Sequence, residues 1–127
     1  MTLNEILEWL ETQVDCPQFY QGKVGSAEKS ITIYNSNGPA PRIAIGGLDN
    51  TSYTSISVSL LIHWGKSPSA AEQKAQQVYD TMFGKTAVIG GKRVIMFNMR
   101  TTEPIGVGTD SEGNYEYVIE VTILHER

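Results

Sequence analysis

The stretch that decides the fold is Tyr53–Phe83, which reads YTSISVSLLIHWGKSPSAAEQKAQQVYDTMF. Apolar side chains stand at every second position from Ile56 to Trp64. The positions between them are mostly small and polar, with serine at 55, 57 and 59. An alternation of period two over this length predicts one long β-strand, Tyr53–Trp64, with one apolar face and one mostly polar face.

A helix is predicted directly after this strand. The chain turns at Gly65–Pro68, where Ser67 fits an N-cap and Pro68 fits the first helical position. A second candidate start lies two residues later, since Ser69–Glu72 has the spacing of a capping box. Gly84 is suited to end the helix, because glycine adopts positive φ without strain. The apolar side chains assigned to one face of the helix are Ala71, Ala75, Val78, Met82 and Phe83.

Another helix is predicted at the N-terminus. Thr2–Glu5 has the spacing of a capping box, and the apolar residues that follow it recur at helical intervals. The helix should end between Gln13 and Cys16, because Pro17 disfavours a helical conformation in the residue before it. Its apolar face consists of Leu3, Ile6, Leu7, Leu10 and Val14.

Shorter extended segments surround these elements. The Gly90-Gly91 pair predicts a two-residue hairpin turn, and the strand after it places Ile95, Phe97 and Met99 on one face. Pro39–Pro41 is predicted to lie at a sheet edge or in a loop, since proline cannot donate to a strand ladder. The predicted strands besides the long one are Phe19–Lys23, Ile31–Tyr34, Arg42–Ile45, Ala87–Ile89, Lys92–Arg100 and Tyr115–His125.

These elements predict a single α+β domain over residues 1–127: two layers, with a mostly antiparallel sheet packed against the N-terminal helix and one central helix. The net charge of −4 and the pI near 5.1 argue against a protein that binds nucleic acid by neutralising phosphates. The only cysteine, Cys16, can form no internal disulfide, which is typical of a protein made in a reducing cytoplasm. We find neither a signal peptide nor an apolar run long enough to span a membrane.

The sequence contains no recognisable set of catalytic or metal-binding residues. His63 and His125 lack the spacing of a metal motif, and structural roles are expected for both. Asp110–Gly113 lacks the spaced ligands of a calcium loop. No base is identifiable for Cys16 as a nucleophile, so we expect no enzyme activity, no cofactor and no metal. The alternative is a small enzyme or ligand-binding module that uses the polar face of the long strand, where Tyr53, Ser57 and His63 lie.

The centre of the chain resembles the minor capsid proteins of tailed phages of Gram-positive hosts. Patterns of strand and turn residues carry this resemblance, and they include no chemical motif. The segments concerned are Ile31–Tyr34, Asn37–Leu48, Ser59–Lys66, Ala70–Glu72 and Val78–Tyr79.

The order of elements is also similar to that of tail-terminator and head–tail joining proteins. The resemblance implies a structural virion protein: a small α+β subunit in a homo-oligomeric ring, commonly a hexamer, that ends the tail tube. It implies a tail-tube protein and a head-connector protein as partners, and a place at the head–tail junction after synthesis in the host bacterial cytoplasm. It implies no membrane partner and no sequence-specific nucleic acid.

Partner contacts are expected at two predicted loops, Gly46–Ser52 before the long strand and Thr101–Asn114 before the final strand. If these two strands are antiparallel neighbours, the loops lie at opposite ends of the pair, because each loop precedes its strand. The longer loop is expected to order only on assembly. The candidate contact residues are Leu48, Asp49, Asn50, Ile105, Val107, Asp110 and Glu112.

Overall fold

The structure, a computed structural model, describes residues 1–38, 45–47 and 52–127. Two helices pack against a curled, mostly antiparallel sheet, which confirms the predicted α+β class. The elements, in chain order, are α1 (Leu3–Gln13), β1 (Phe19–Gln21), β2 (Lys29–Asn35), β3 (Tyr53–Trp64), α2 (Pro68–Asp80), β4 (Ala87–Ile89), β5 (Lys92–Met99), β6 (Ile105–Thr109) and β7 (Tyr115–Glu126).

The sheet is built around β3 and β7. These strands pair antiparallel from Tyr53 opposite Glu126 to His63 opposite Glu116. The strand order is β1-β2-β3-β7-β5-β4, and β6 also pairs with β7. Only β1 and β2 run parallel among the described pairs. The long strand therefore has its predicted bounds and lies in the interior of the sheet.

The core lies between the helices and one face of the sheet. On β3 the even-numbered residues from Val58 to Trp64 are buried, as the period-two pattern predicts. Their neighbours on the same face of the sheet are the odd-numbered residues of β7, for example Ile119, which pairs with Leu60. The helices and the residues directly after them close this layer with Ile6, Leu7, Leu10, Val14, Ala71, Ala75, Val78, Tyr79 and Met82.

Both helices begin where local side-chain chemistry predicts. At α1, the Thr2 hydroxyl accepts from the Glu5 backbone N–H at 3.1 Å, and the Glu5 carboxylate accepts from the Thr2 N–H at 2.8 Å. This is the predicted capping box. At α2, Ser67 is the N-cap and Pro68 the first helical residue, so the later start at Ser69–Glu72 is wrong.

The predicted end of α2 needs a correction at Phe83. The helix ends at Asp80, and residues 81–84 form a further turn that closes at Gly84 with φ of 70°. This turn rotates Phe83 out of the apolar face, so its side chain is 60% exposed. Its ring stacks on Tyr79 at a centroid distance of 5.6 Å.

The predicted face of β5 is wrong for one residue. The Gly90-Gly91 turn forms as expected, with φ of 58° and 76°. After it, the pairing with β7 shifts register between Val94 and Met96. This bulge adds one residue and reverses the alternation, so Val94 and Phe97 are buried while Ile95 is 38% exposed.

The predicted loop Thr101–Asn114 contains a strand. Residues Ile105–Thr109 form β6, which pairs antiparallel with the start of β7. The sequence Ile-Gly-Val-Gly-Thr did not predict this strand, because glycine is uncommon in strands. A bulge between Gly106 and Gly108 also interrupts the alternation of side chains.

Several other predictions fall partly or wholly outside the described residues. They include Pro39–Pro41, most of the predicted strand Arg42–Ile45, and residues 48–51 of the predicted loop before the long strand. Ile45 itself lies in a turn. Among the described helices, none is long and apolar enough to cross a membrane.

Candidate assembly surface

The β6–β7 hairpin brings four of the predicted contact residues together. Ile105 and Val107 lie on β6, with side chains 45% and 53% exposed. Asp110 and Glu112 lie in the turn that connects β6 to β7, and Glu112 is exposed. The surface thus combines an apolar strand with an acidic turn.

The remaining three candidates, Leu48, Asp49 and Asn50, lie outside the described residues. The antiparallel pairing of β3 with β7 is confirmed. Ser52, just before β3, accepts through its carbonyl from the Arg127 N–H at 3.2 Å, next to the end of β7. The β6–β7 turn lies at the other end of this strand pair, beside Gly65, whose carbonyl accepts from the Tyr115 N–H at 2.8 Å.

The acidic turn is ordered by the carboxylate of Asp110. Its Oδ1 accepts from the backbone N–H groups of Glu112 and Asn114, both at 2.9 Å. Its Oδ2 accepts from Nδ2 of Asn114 at 3.2 Å and lies 2.7 Å from Nε2 of His63. These hydrogen bonds hold the pKa of Asp110 far below its ordinary value, and the bond to His63 contributes most. The end of the predicted loop, from Asp110 to Asn114, is therefore a tight turn fixed to the end of β3.

His63 connects this turn to a second loop. Its ring is 5% exposed, and its Nδ1 lies 2.8 Å from the carbonyl oxygen of Glu28. The expected structural role of His63 is thus specific: it joins the segment before β2 to the turn before β7.

A polar groove of ≈ 400 Å³ lies above this junction. Its wall carries the carboxylates of Glu28, Asp110, Glu112 and Glu116, and the Lys66 ammonium lies 3.6 Å from Glu28. Within residues 1–38, 45–47 and 52–127, no group of three or more His, Cys, Asp or Glu side chains is placed to hold a metal ion. The groove presents mainly acidic groups to a partner.

The polar face of β3 does not present Ser57 to a ligand. The Ser57 hydroxyl lies 2.8 Å from that of Thr122, and both side chains are 8% exposed. The backbone at Gly38 packs directly over Ser57, with no room for a Cβ atom. Tyr53 and His63 stand at opposite ends of the strand. These contacts give Ser57 a packing role between strands.

Cys16 also lacks the surroundings of a nucleophile. Its Sγ donates to the Gln18 carbonyl at 3.2 Å, and burial raises the pKa of the thiol. A raised pKa keeps the sulfur protonated and unreactive at neutral pH.

Two exposed apolar residues of this surface are absent from the sequence-based candidates. Ile95 and Met96 are 38% and 47% exposed, and they lie on β5, which follows the same side of β7 as β6 does. The apolar alternation of β5 predicted Ile95 for the core. Only knowledge of the bulge, which depends on pairing with β7, would have assigned Ile95 to the surface as well.

A family model described as "Bacteriophage tail terminator protein" matches residues 10–127, a range that includes α2 and all seven strands described above. A solved structure is similar over 97% of this chain and 87% of its own, at 12% identity and a TM-score of 0.45. No curated protein matches the chain.

Proposed function

Since this chain belongs to the bacteriophage tail terminator family, we propose that it is a structural virion protein at the head–tail junction. In this role it acts as a minor capsid or head–tail joining subunit that caps the tail tube. The single observation that carries the proposal is the family match, which extends over the sheet and the central helix. Its immediate partners are the tail-tube protein and the head-connector protein.

The chain acts as a single α+β domain and assembles into a homo-oligomeric ring, with a hexamer favoured. The exposed apolar side chains of β5 and β6 support this proposal, because apolar surface of this kind marks contacts between proteins. A ring requires a head-to-tail contact between two different surfaces of the subunit.

The two ends of the β3–β7 pair contact different neighbours. The β6–β7 turn, with Asp110 and Glu112, contacts one neighbour, and the other proposed contact residues, Leu48, Asp49 and Asn50, serve the contact with a different neighbour. Where acidic side chains line the central channel, they repel passing DNA and keep it from binding there. The protein thereby joins its partners through shape and charge, without enzyme activity and without a cofactor.

Tail assembly in vitro tests this function. Purified tail-tube protein is allowed to polymerise with and without this protein, and tube lengths and tube ends are measured by electron microscopy. We expect added protein to stop elongation and to appear as a ring at one end of each tube. Tubes that elongate equally in its presence, with no bound protein, would refute the proposal.

A second experiment tests the β6–β7 turn as the contact with the tube. Glu112→Lys reverses an exposed charge that makes no described hydrogen bond, so the fold should remain intact. We expect weaker capping of tubes by this variant. Glu8→Lys, an exposed charge reversal on α1, is the control and should cap normally. Equal capping by both variants would exclude the turn as a tube contact.

A further inference from the structure

Among the described strands, none pairs with the outer side of β6. β5 and β6 follow each other along one side of β7, β5 opposite residues 121–125 and β6 opposite residues 115–118. β4 covers β5 only at Lys92–Val94, and among the described strands none lies beyond β6. We call the outer side of Ile105–Thr109 the β6 edge. Its free backbone groups can hydrogen-bond to an added strand.

The β6 edge is short and bulged, but it lacks the charge and proline that protect many exposed edge strands. Its sequence, Ile-Gly-Val-Gly-Thr, contains no charged residue and no proline. Charges and prolines are what commonly prevent such edges from pairing with another chain. The bulge between Gly106 and Gly108 twists the edge, so an incoming strand must match that twist. The edge is therefore suited to pairing with a specific partner.

The opposite end of the sheet has another open edge, on β1. The Gln18 carbonyl accepts from the Ile31 N–H, and the Gly22 N–H donates to the Ile33 carbonyl. Because alternate residues of a strand point to opposite sides, the backbone groups between them at Phe19 and Gln21 point away from β2. Within the part of the chain that the structure describes, no strand pairs with this side, which we call the β1 edge.

The two edges differ in charge on the helix side of the sheet. Beside β6, a groove of ≈ 300 Å³ separates the strand from α2, and Glu72 and Glu103 line it. Beside β2, the ammonium groups of Lys29 and Lys74 lie 5.6 Å and 4.8 Å from the centroid of the Trp64 ring. Glu11 and Asp15 line a groove beside Phe19 of β1, so this flank carries charges of both signs, and its Lys29 and Lys74 are complementary to the acidic flank of another copy.

We propose that the β6 edge of one copy pairs with the β1 edge of the next copy, so that the sheet continues from subunit to subunit. The occupant is a second copy of this chain, because the described part of the chain carries both of these unpaired edges and charges of both signs. Two different edges at opposite ends of one sheet make a head-to-tail contact, which is the kind that closes into a ring. The inference rests on the proposed ring and names the strands that build it.

Cross-linking tests which edges meet. In a Cys16→Ser background, one variant carries Val107→Cys, a second carries Gln21→Cys, and a third carries both. Each is treated with a short bifunctional maleimide, first alone at high concentration and then bound to tail tubes. We expect the double variant to give a ladder of covalent multimers and each single variant to remain uncross-linked. Cross-linking of the Val107→Cys variant alone would show a two-fold contact between β6 edges and overturn the proposal.

A charge placed on the edge tests the energetic role of β6. Val107→Lys adds an ammonium group to the edge that is proposed to meet the Lys29 and Lys74 flank of the next copy, and it should raise the Kd for self-association about tenfold or more. Val88→Lys is the matched control, because Val88 is 65% exposed on β4, at the outer edge beside β5. It should change the Kd by less than about twofold. An equal or larger effect at Val88 would assign the contact to β4 and refute the β6 edge.

These tests separate the inference from the proposed function. If tubes are capped but the double cysteine variant gives no multimers in either state, the tail function stands and the β6–β1 contact is wrong. If multimers form but tubes are not capped, the contact stands and the tail function fails.

Discussion

Nε2 of His63 and Oδ2 of Asp110 lie 2.7 Å apart although 47 residues separate them in the sequence. This contact fixes the acidic turn to the end of β3. The His63 hydrogen bond is the largest of the contributions that lower the pKa of Asp110. The fixed turn, in turn, determines where Glu112 stands on the surface.

The pH dependence of stability should report the bonds of Asp110. Because its pKa is lower in the folded chain than in the unfolded chain, its contribution to stability is complete above the unfolded value. The contribution is lost as the pH falls below about 4 toward the lowered folded pKa. We expect Asp110→Asn to lower the urea midpoint at pH 7 and to flatten its decline between about pH 5 and pH 2.

Glu112→Gln is the matched control for this prediction. It removes a charge from the same turn, but the Glu112 side chain accepts no described hydrogen bond. Its urea midpoint should follow that of the unmodified chain at each pH. A pH profile for Asp110→Asn that also follows the unmodified chain would show that the His63 contact does not form in solution.

Truncation of Leu60 should be strongly destabilising. Leu60 is 1% exposed and lies between the sheet and the helices, so Leu60→Ala leaves a cavity that costs about 2–5 kcal/mol of unfolding free energy. Leu61→Ala, one residue away on the opposite, half-buried face, should cost clearly less. Urea denaturation of both variants measures the difference. Equal midpoints would contradict the assignment of the two faces.

Loss of the Thr2 hydroxyl should weaken the start of α1. The hydroxyl accepts from the Glu5 N–H, and Thr2→Ala leaves that donor without its capping partner. We expect a loss of about 1 kcal/mol in unfolding free energy. Thr2→Ser keeps the hydroxyl and should stay close to the unmodified chain. Thermal denaturation followed by circular dichroism compares the three proteins.

The Tyr79 hydroxyl should stabilise the segment between β5 and β6. It donates to the Thr101 carbonyl at 2.7 Å from a side chain that is 3% exposed. Tyr79→Phe should cost about 0.5–1.5 kcal/mol and speed hydrogen exchange in residues 100–104. Tyr53→Phe removes a hydroxyl from a side chain that is 39% exposed, so exchange in this segment should remain unaltered.

The sequence predicted best the features that depend on neighbouring residues. The alternation in Tyr53–Trp64 and the capping box at Thr2–Glu5 are local, so the strand and the helix start could be located without knowledge of the fold. The exposure of Ile95 could not be predicted in this way, because it depends on a bulge in the pairing of β5 with β7. For the same reason, β6 was predicted as loop: it has little strand propensity and forms by pairing with β7.

The candidate surface was predicted in its residues but not in its organisation. Ile105, Val107, Asp110 and Glu112 were selected because they lie in a long connection before the final strand. Their arrangement as an edge strand and a tight turn depends on His63, a residue far away in sequence. A pattern of alternation can place His63 on a strand face, but it cannot indicate which carboxylate meets the ring.

The central position of β7 also determines when the sheet can be completed during synthesis. β7 lies between β3 and the β5–β6 side, yet it is the last described element to leave the ribosome. At about 5–20 residues per second, translation takes roughly 3–12 s to go from Trp64 to Glu126. Until then β3 has only β2 beside it, and α1 and α2 are the available cover for its apolar face. We therefore expect an intermediate on the nascent chain that contains α1, β1, β2, β3 and α2. The pairing of β7 with β3 joins segments far apart in the sequence, so it should be the slow step of folding.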